Sequence, residues 1–260
     1  EDLRGRSVLA LARSDDGRHF SLRDEPVMTP VQDGPFARYE NHGIEDPRVT
    51  LLEGTFYVVY TAASEYGARL GLAKTEDFLH FERVGLISEP DNKDGALFPR
   101  RISGRYVRLD RPMVGSKGNV WISYSDDLVH WGDSRLLMTV CPDCWDSWRI
   151  GASVPPIETD YGWLEIHHGV RETSHGPVYR LGAAMLDRDD PTKVLCRSSI
   201  PILSPHEPYE RIGDIPNVVY SCGAVLEDDG QIRLYYSGAD SCICLGTVQL
   251  EELMQFCRIG

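Results

Sequence analysis

No apolar run in the 260 residues approaches the roughly 18 needed to cross a bilayer, so the sequence offers no membrane span. Positive charge is also short: 27 Lys and Arg face 40 Asp and Glu, a formal net charge of -13. That balance argues against nucleic acid or another polyanion as the main partner. A small anion is not excluded, because a few local cations can hold one inside an acidic shell. No Pro/Ser-rich linker and no low-complexity stretch divides the chain, so residues 1–260 read as a single domain. Long amphipathic helices are scarce, and only Leu250 to Cys257 has helical spacing. No secretory leader is visible, although the chain begins at Glu1 rather than Met. The seven cysteines are odd in number and scattered, which gives no disulfide framework. Cys141 and Cys144 form a C-x-x-C and Cys242 and Cys244 a C-x-C, but zinc wants four ligands. Free thiols in a reducing compartment are the expectation, with no metal site.

A repeat stands out in what remains. Ser14-Asp15-Asp16-Gly17-Arg18-His19-Phe20, Thr75-Glu76-Asp77-Phe78-Leu79-His80-Phe81 and Ser125-Asp126-Asp127-Leu128-Val129-His130-Trp131 share one pattern. Each follows a short apolar strand: Ser7 to Ala12, Leu70 to Ala73, and Val120 to Tyr124. An Asp-rich turn whose aromatic ends, Phe20, Phe81 and Trp131, recur at intervals of 61 and 50 residues suits one four-stranded blade per repeat. Hairpin signals fill in the blades. Arg48–Leu52 and Thr55–Thr61 flank Glu53-Gly54; Arg100–Ile102 and Tyr106–Leu109 flank Ser103-Gly104. Pro156–Glu158 pairs with Trp163–His167, and Ala224–Leu226 with Ile232–Tyr236. The prediction is an all-β, five-bladed β-propeller whose first blade is incomplete at the N-terminus.

Propellers bind ligands where inner strands converge, so polar groups at matching places in successive blades are the candidates. They are Glu45-Asp46-Pro47-Arg48, then Asn92-Lys93-Asp94, then Arg108 to Pro112, then Trp145 to Gly151, then His167-His168 with Tyr179, and finally Tyr236 to Asp240. By composition alone the first cluster reads more readily as a charged loop with a surface ion pair. The adjacent histidines point to opposite faces of a strand and make poor joint metal ligands. Carboxylates suit sugar hydroxyls and general acid work, and guanidinium groups suit phosphate. Together they fit transfer of a sugar to phosphate.

These segments resemble glycoside hydrolase family 130, the inverting β-mannoside phosphorylases and related β-mannosidases. The likeness rests on Gly43-Ile44-Glu45-Asp46-Pro47-Arg48, Asn92 to Pro99, Arg108 to Pro112, Trp145 to Gly151, His168-Gly169-Val170, Tyr179 to Ala183, Gly213 to Val219 and Tyr235 to Asp240, in order along nearly the whole chain. The resemblance implies a five-bladed propeller with Asp46 as general acid, its proton passing through the mannose 3-hydroxyl to the glycosidic oxygen. Inorganic phosphate, as co-substrate rather than cofactor, then attacks the anomeric carbon from the opposite face and gives α-mannose 1-phosphate. The phosphate ligands carry over to Lys93, Arg111, Arg149, His168 and Tyr179, and the sugar contacts to Arg48, Asp94 and Asp240. The expected partners are a β-mannoside (a mannooligosaccharide or mannosyl-N-acetylglucosamine) and phosphate. The expected location is cytoplasmic, and a homo-oligomer is left open. Two alternatives stand beside this one: a β-mannoside hydrolase on the same scaffold, with Glu165 a conceivable base for water, and a sugar-binding propeller without activity.

Overall fold

The computed structural model describes residues 5–258 and is nearly all β. The chain runs as successive antiparallel meanders. The first comprises Gly43–Leu52, Thr55–Ala63, Arg69–Thr75 and Glu82–Leu86, hydrogen-bonded in that order. The second comprises Asn92–Leu97, Tyr106–Val114, Val120–Ser125 and Trp131–Met138. The third comprises Arg149–Ala152, Gly162–Thr173, Gly176–Leu186 and Val194–Arg197, with Ile157–Thr159 also pairing on Gly162–Thr173. A short strand, Lys117–Gly118, ties the second meander to the third. The fourth comprises Val219–Leu226, Gln231–Gly238 and Cys242–Gln249. At the N-terminal end Ala12–Arg13 pairs with Ser21–Leu22.

Apolar side chains pack between consecutive meanders, which makes the arrangement propeller-like. Leu52, Val59, Leu70, Leu97 and Tyr106 lie together between the first and second. Phe98, Leu109, Ile122, Ile150 and Trp163 do the same between the second and third. Leu164, Ile166, Leu181, Val219 and Ile232 join the third to the fourth. The helix Leu250–Arg258 buries Leu250, Leu253, Met254 and Cys257 on that last cluster, the i, i+3, i+4, i+7 stripe of a one-faced helix. Among the described residues no helix is long and apolar enough to cross a membrane.

The repeated turns are the same structure three times over. In each, a Ser or Thr hydroxyl accepts from backbone N–H groups (Ser14 from Gly17, Thr75 from Phe78, Ser125 from Leu128). One carboxylate oxygen of Asp16, Asp77 or Asp127 takes two further N–H groups, and the other meets the imidazole of His19, His80 or His130 at 2.7 Å. These bonds hold each carboxyl well below the usual range. The hairpin turns at Glu53-Gly54 and Ser103-Gly104 have positive φ at both residues, as a two-residue turn between right-twisted strands requires.

Two expectations are corrected. Arg100–Ile102 is not a strand; only an isolated bridge joins Ile102 to Arg105. The strand that pairs with Tyr106–Val114 ends at Leu97, two residues before Pro99, which has no N–H for a ladder. Cys141 and Cys144 are not free thiols but a disulfide, with Cα atoms 5.4 Å apart across a tight turn, a separation that suits the bond. Cys242 and Cys244 stay reduced, their sulfurs 3.7 Å apart.

Candidate active site

The first strands of the meanders converge, Gly43–Leu52 touching both Asn92–Leu97 and Val219–Leu226, and Asn92–Leu97 touching Arg149–Ala152. Two of them carry the same irregularity. The register of Gly43–Leu52 against its neighbour shifts between Glu45 and Arg48, with Asp46 at φ 51°. That of Asn92–Leu97 shifts between Lys93 and Ala96, with Asp94 at φ 59°. Each is a bulge, which bends the strand and re-aims one side chain. Pro47 and Gly95 follow the two aspartates; proline is tolerated at a bulge because the ladder is already interrupted there. Gly95 is needed for space: a Cβ there would lie 2.6 Å from Val59 and 2.8 Å from Leu70.

The two carboxyls have opposite fates. Asp94 is buried, and burial by itself would raise its pKa. Arg111 bonds one of its oxygens, His168 stands 3.4 Å away and Arg48 3.5 Å, and these neighbours win. Asp94 is therefore held well below the ordinary range as an anion. Asp46 is raised, first by burial and then by the charge on Asp94, against the pull of Arg48 and Lys93. It keeps part of its surface accessible. One carboxyl is thus a fixed charge and its equivalent a weak acid.

Arg48 holds this pair across the centre. It is 1% exposed, and donates to the carbonyls of Ala152 and Ser153 at 2.9 Å, to that of Asp46 at 3.0 Å and to the Tyr220 hydroxyl at 2.8 Å. Four of its five N–H donors are thus engaged by protein acceptors, so it acts as a strut between meanders. Lys93 pairs with Glu45 at 3.2 Å, both side chains about one-third exposed. Arg111 reaches Met113 Sδ at 3.1 Å as well as Asp94. It has room because Gly118 has no Cβ, which would lie 2.8 Å from it. His168 is buried beside Arg111 and Arg48, and its pKa is lowered to about 3, chiefly by burial, so it is a neutral imidazole. Tyr179 lies 6.4 Å from the His168 ring, nearly parallel to it. Arg149 donates to the Ser116 carbonyl and stacks on Trp148 at 3.8 Å.

The structure therefore brings Asp46, Arg48, Lys93, Asp94, Arg111, His168 and Tyr179 into one neighbourhood, with Arg149 electrostatically coupled to His168. Asp240 stands exposed in the turn after Gln231–Gly238, at φ 55°, and among the described residues no hydrogen bond joins it to the cluster. His167 points to the other face and stacks on Trp145 at 5.8 Å. Glu165 is fully buried, neither oxygen finds a hydrogen-bond partner among the described residues, and burial raises its pKa well above its usual value. That environment disfavours the carboxylate a base for water must be.

Sequence reasoning missed Tyr220, which stands between Asp46 (3.4 Å) and Asp94 (3.0 Å) and packs 4.9 Å from the His168 ring. The available signal was its place, on the first strand of the fourth meander, where the other meanders carry their polar groups. It missed Ser153 too, whose hydroxyl lies 3.4 Å from His168 Nδ1.

The fold is nearly all β and propeller-like, and its site sets a weak acid among cations, as acid-assisted transfer of a sugar to an anion would require. The model of the family described as beta-1,4-mannooligosaccharide phosphorylase matches residues 3–259, and the chain belongs to that family, glycoside hydrolase family 130. A β-1,2-mannobiose phosphorylase of Listeria innocua is 41% identical over 95% of this chain and 68% of its own length. A 1,2-β-oligomannan phosphorylase of Thermoanaerobacter is 38% identical over 95% and 80%, and a β-1,4-mannooligosaccharide phosphorylase of Ruminococcus albus 34% over 94% and 74%. The solved structure of the Listeria enzyme with β-1,2-mannobiose superposes with a TM-score of 0.89, covering 96% of this chain and 69% of that one.

Proposed function

We propose that the protein phosphorolyses β-mannosides with inversion, giving α-mannose 1-phosphate. The observation that carries this is the state of the carboxyl groups. Inverting hydrolysis needs a second carboxylate free to activate water. Around Asp46, Asp94 is bound by Arg111, and Glu45 is paired with Lys93. Glu165 is buried, which raises its pKa and disfavours the carboxylate. Phosphate needs no base; it needs cations to hold it. Lys93, Arg111 and Arg149 supply charge, while neutral His168 and Tyr179 supply hydrogen bonds. In the reaction the bond from C1 to the glycosidic oxygen breaks and a bond from C1 to a phosphate oxygen forms. The proton of Asp46, relayed by a sugar hydroxyl, ends on the leaving hydroxyl. Asp240 is assigned to the mannosyl group. Arg48 and Asp94 serve the sugar by fixing the geometry around Asp46.

The same reading takes the chain as one five-bladed domain over residues 1–260, with the two N-terminal strands in an incomplete first blade. It takes inorganic phosphate as co-substrate, and cytoplasm as the place where that phosphate is abundant. Incubation with β-1,2- and β-1,4-mannobiose, with and without phosphate, tests it. Phosphate-dependent mannose 1-phosphate is the expected product. Free mannose made equally well without phosphate would mark a hydrolase, and binding without turnover a sugar-binding protein.

A further inference from the structure

A tyrosine hydroxyl has one proton to donate and two lone pairs. Around Tyr220 the partners of all three are defined. Arg48 Nη2 lies at 2.8 Å and can only donate, which occupies one lone pair. Asp94 Oδ1 lies at 3.0 Å and belongs to an anion, so it takes the phenolic proton. The second lone pair then faces Asp46 Oδ2 at 3.4 Å. If Asp46 were ionised there, lone pair would meet lone pair. The contact is favourable only when Oδ2 carries the proton.

We propose that Tyr220 is a positioning residue for the acid, helping to keep Asp46 protonated by accepting a hydrogen bond from its carboxyl O–H while donating its own phenolic O–H to Asp94. This rests on the reading of Asp46 as general acid. At 3.4 Å the contact is long, so a sugar hydroxyl arriving on the accessible side of Asp46 replaces Tyr220 as acceptor at little cost. Burial raises the pKa of Asp46 first, and the charged groups facing it pull both ways. On its own strand Glu45 favours the neutral form and Arg48 opposes it; on the next strand Asp94 favours it and Lys93 opposes it. Cys222, from the strand of Tyr220, is a neutral thiol pushed up to about 12 by burial. Arg111 and His168 act through Asp94, which they hold.

The test is Tyr220→Phe, which keeps the ring and removes the hydroxyl. The acid proton loses its acceptor, and Arg48 is released toward Asp46. The basic limb of the kcat/KM profile for mannobiose phosphorolysis should move down by on the order of one pH unit, about tenfold in rate above the limb. KM for phosphate should not change. Replacing Tyr220 with 3-fluorotyrosine, a more acidic phenol and poorer acceptor of the same shape, should move the limb the same way and serves if the Phe variant folds poorly. The ¹³C carboxyl titration of Asp46 in wild type and variants reads the shift without turnover. A wild type making no mannose 1-phosphate defeats the phosphorylase reading and leaves this titration to decide. An unmoved limb and an unmoved titration, with loss uniform across pH, would overturn the role of Tyr220.

Discussion

Asp46 and Asp94 sit on equivalent bulges of neighbouring meanders, at φ 51° and 59°, and differ in exposure and company. Arg111 and His168 are placed on the Asp94 carboxylate, and among the described residues no ion pair is made by the Asp46 carboxyl. A proton-donating group and a fixed anion thus arise from one local backbone geometry, decided by what the adjacent strands bring. Asp46→Asn removes the transferable proton and changes little else. Its kcat for phosphorolysis should fall by at least about 100-fold, the lower end of general acid contributions, with an unchanged thermal midpoint by calorimetry. Lys93→Met tests the other half of the site. Losing the cation should raise KM for phosphate more than KM for the mannoside, read from initial rates with each substrate varied in turn.

Meanders are the elements that set these positions, and their interfaces tolerate little. Gly95→Ala would drive a methyl group to 2.6 Å from Val59 between the first and second meanders. Overpacking of that kind costs about 1–3 kcal/mol, and chemical denaturation should register it as a lower midpoint. Local features of the meanders were legible in the sequence. The three Asp turns, the hairpin at Glu53-Gly54 and the helix from Leu250 follow from side chains acting on their own backbone within a few residues. What the sequence could not disclose depends on which strands become neighbours. Arg48 finds carbonyls 104 and 105 residues away. Tyr220 meets Asp46 across 174 residues, and no pattern within either segment announces the meeting. Asp46, Lys93, Arg111 and His168 came forward only as successive polar interruptions, and the resemblance to a family supplied their roles. The strand predicted at Arg100 failed because a two-residue turn signal there closes a single bridge rather than a ladder.

For the whole molecule, two buried histidines contribute to the response to acid. His168 is lowered to about 3 and His167 well below the ordinary value, both chiefly by burial. Unfolding frees each to bind a proton near its ordinary value of about 6.5. Their contribution is therefore fully present above that value and is lost as pH falls, by up to about 1.4 kcal/mol per pH unit for each histidine. Glu165 and Asp46, whose carboxyl pKa values burial raises, gain stability over the same range and oppose this loss. The measured quantity is therefore a difference: in thermal scans between pH 7 and 4 the midpoint of His168→Gln should fall less, or rise more, than that of the wild type. Contact between the N-terminal segment and the fourth meander is the second global feature. Tyr235 donates to the Gly17 carbonyl, Arg233 to that of Asp16, both at 2.8 Å, and Phe20 lies edge-on to Tyr235 at 5.7 Å. Tyr235→Ala should loosen the contact between the N-terminal strands and the fourth meander and speed proteolysis in the 14–20 segment, detected by mass spectrometry of early fragments.

The strut at Arg48 has a kinetic consequence. Its acceptors come from the third meander, from the fourth and from its own strand. The environment that keeps Asp46 a weak acid therefore does not exist until distant stretches of chain have met. A partly folded molecule can already own most of its sheet structure while Asp46 remains an ordinary solvated carboxylate. During refolding from denaturant, the β-sheet signal should return ahead of enzymatic turnover. The lag would time the last assembly step, so that a nascent chain stays chemically silent until its scaffold is complete.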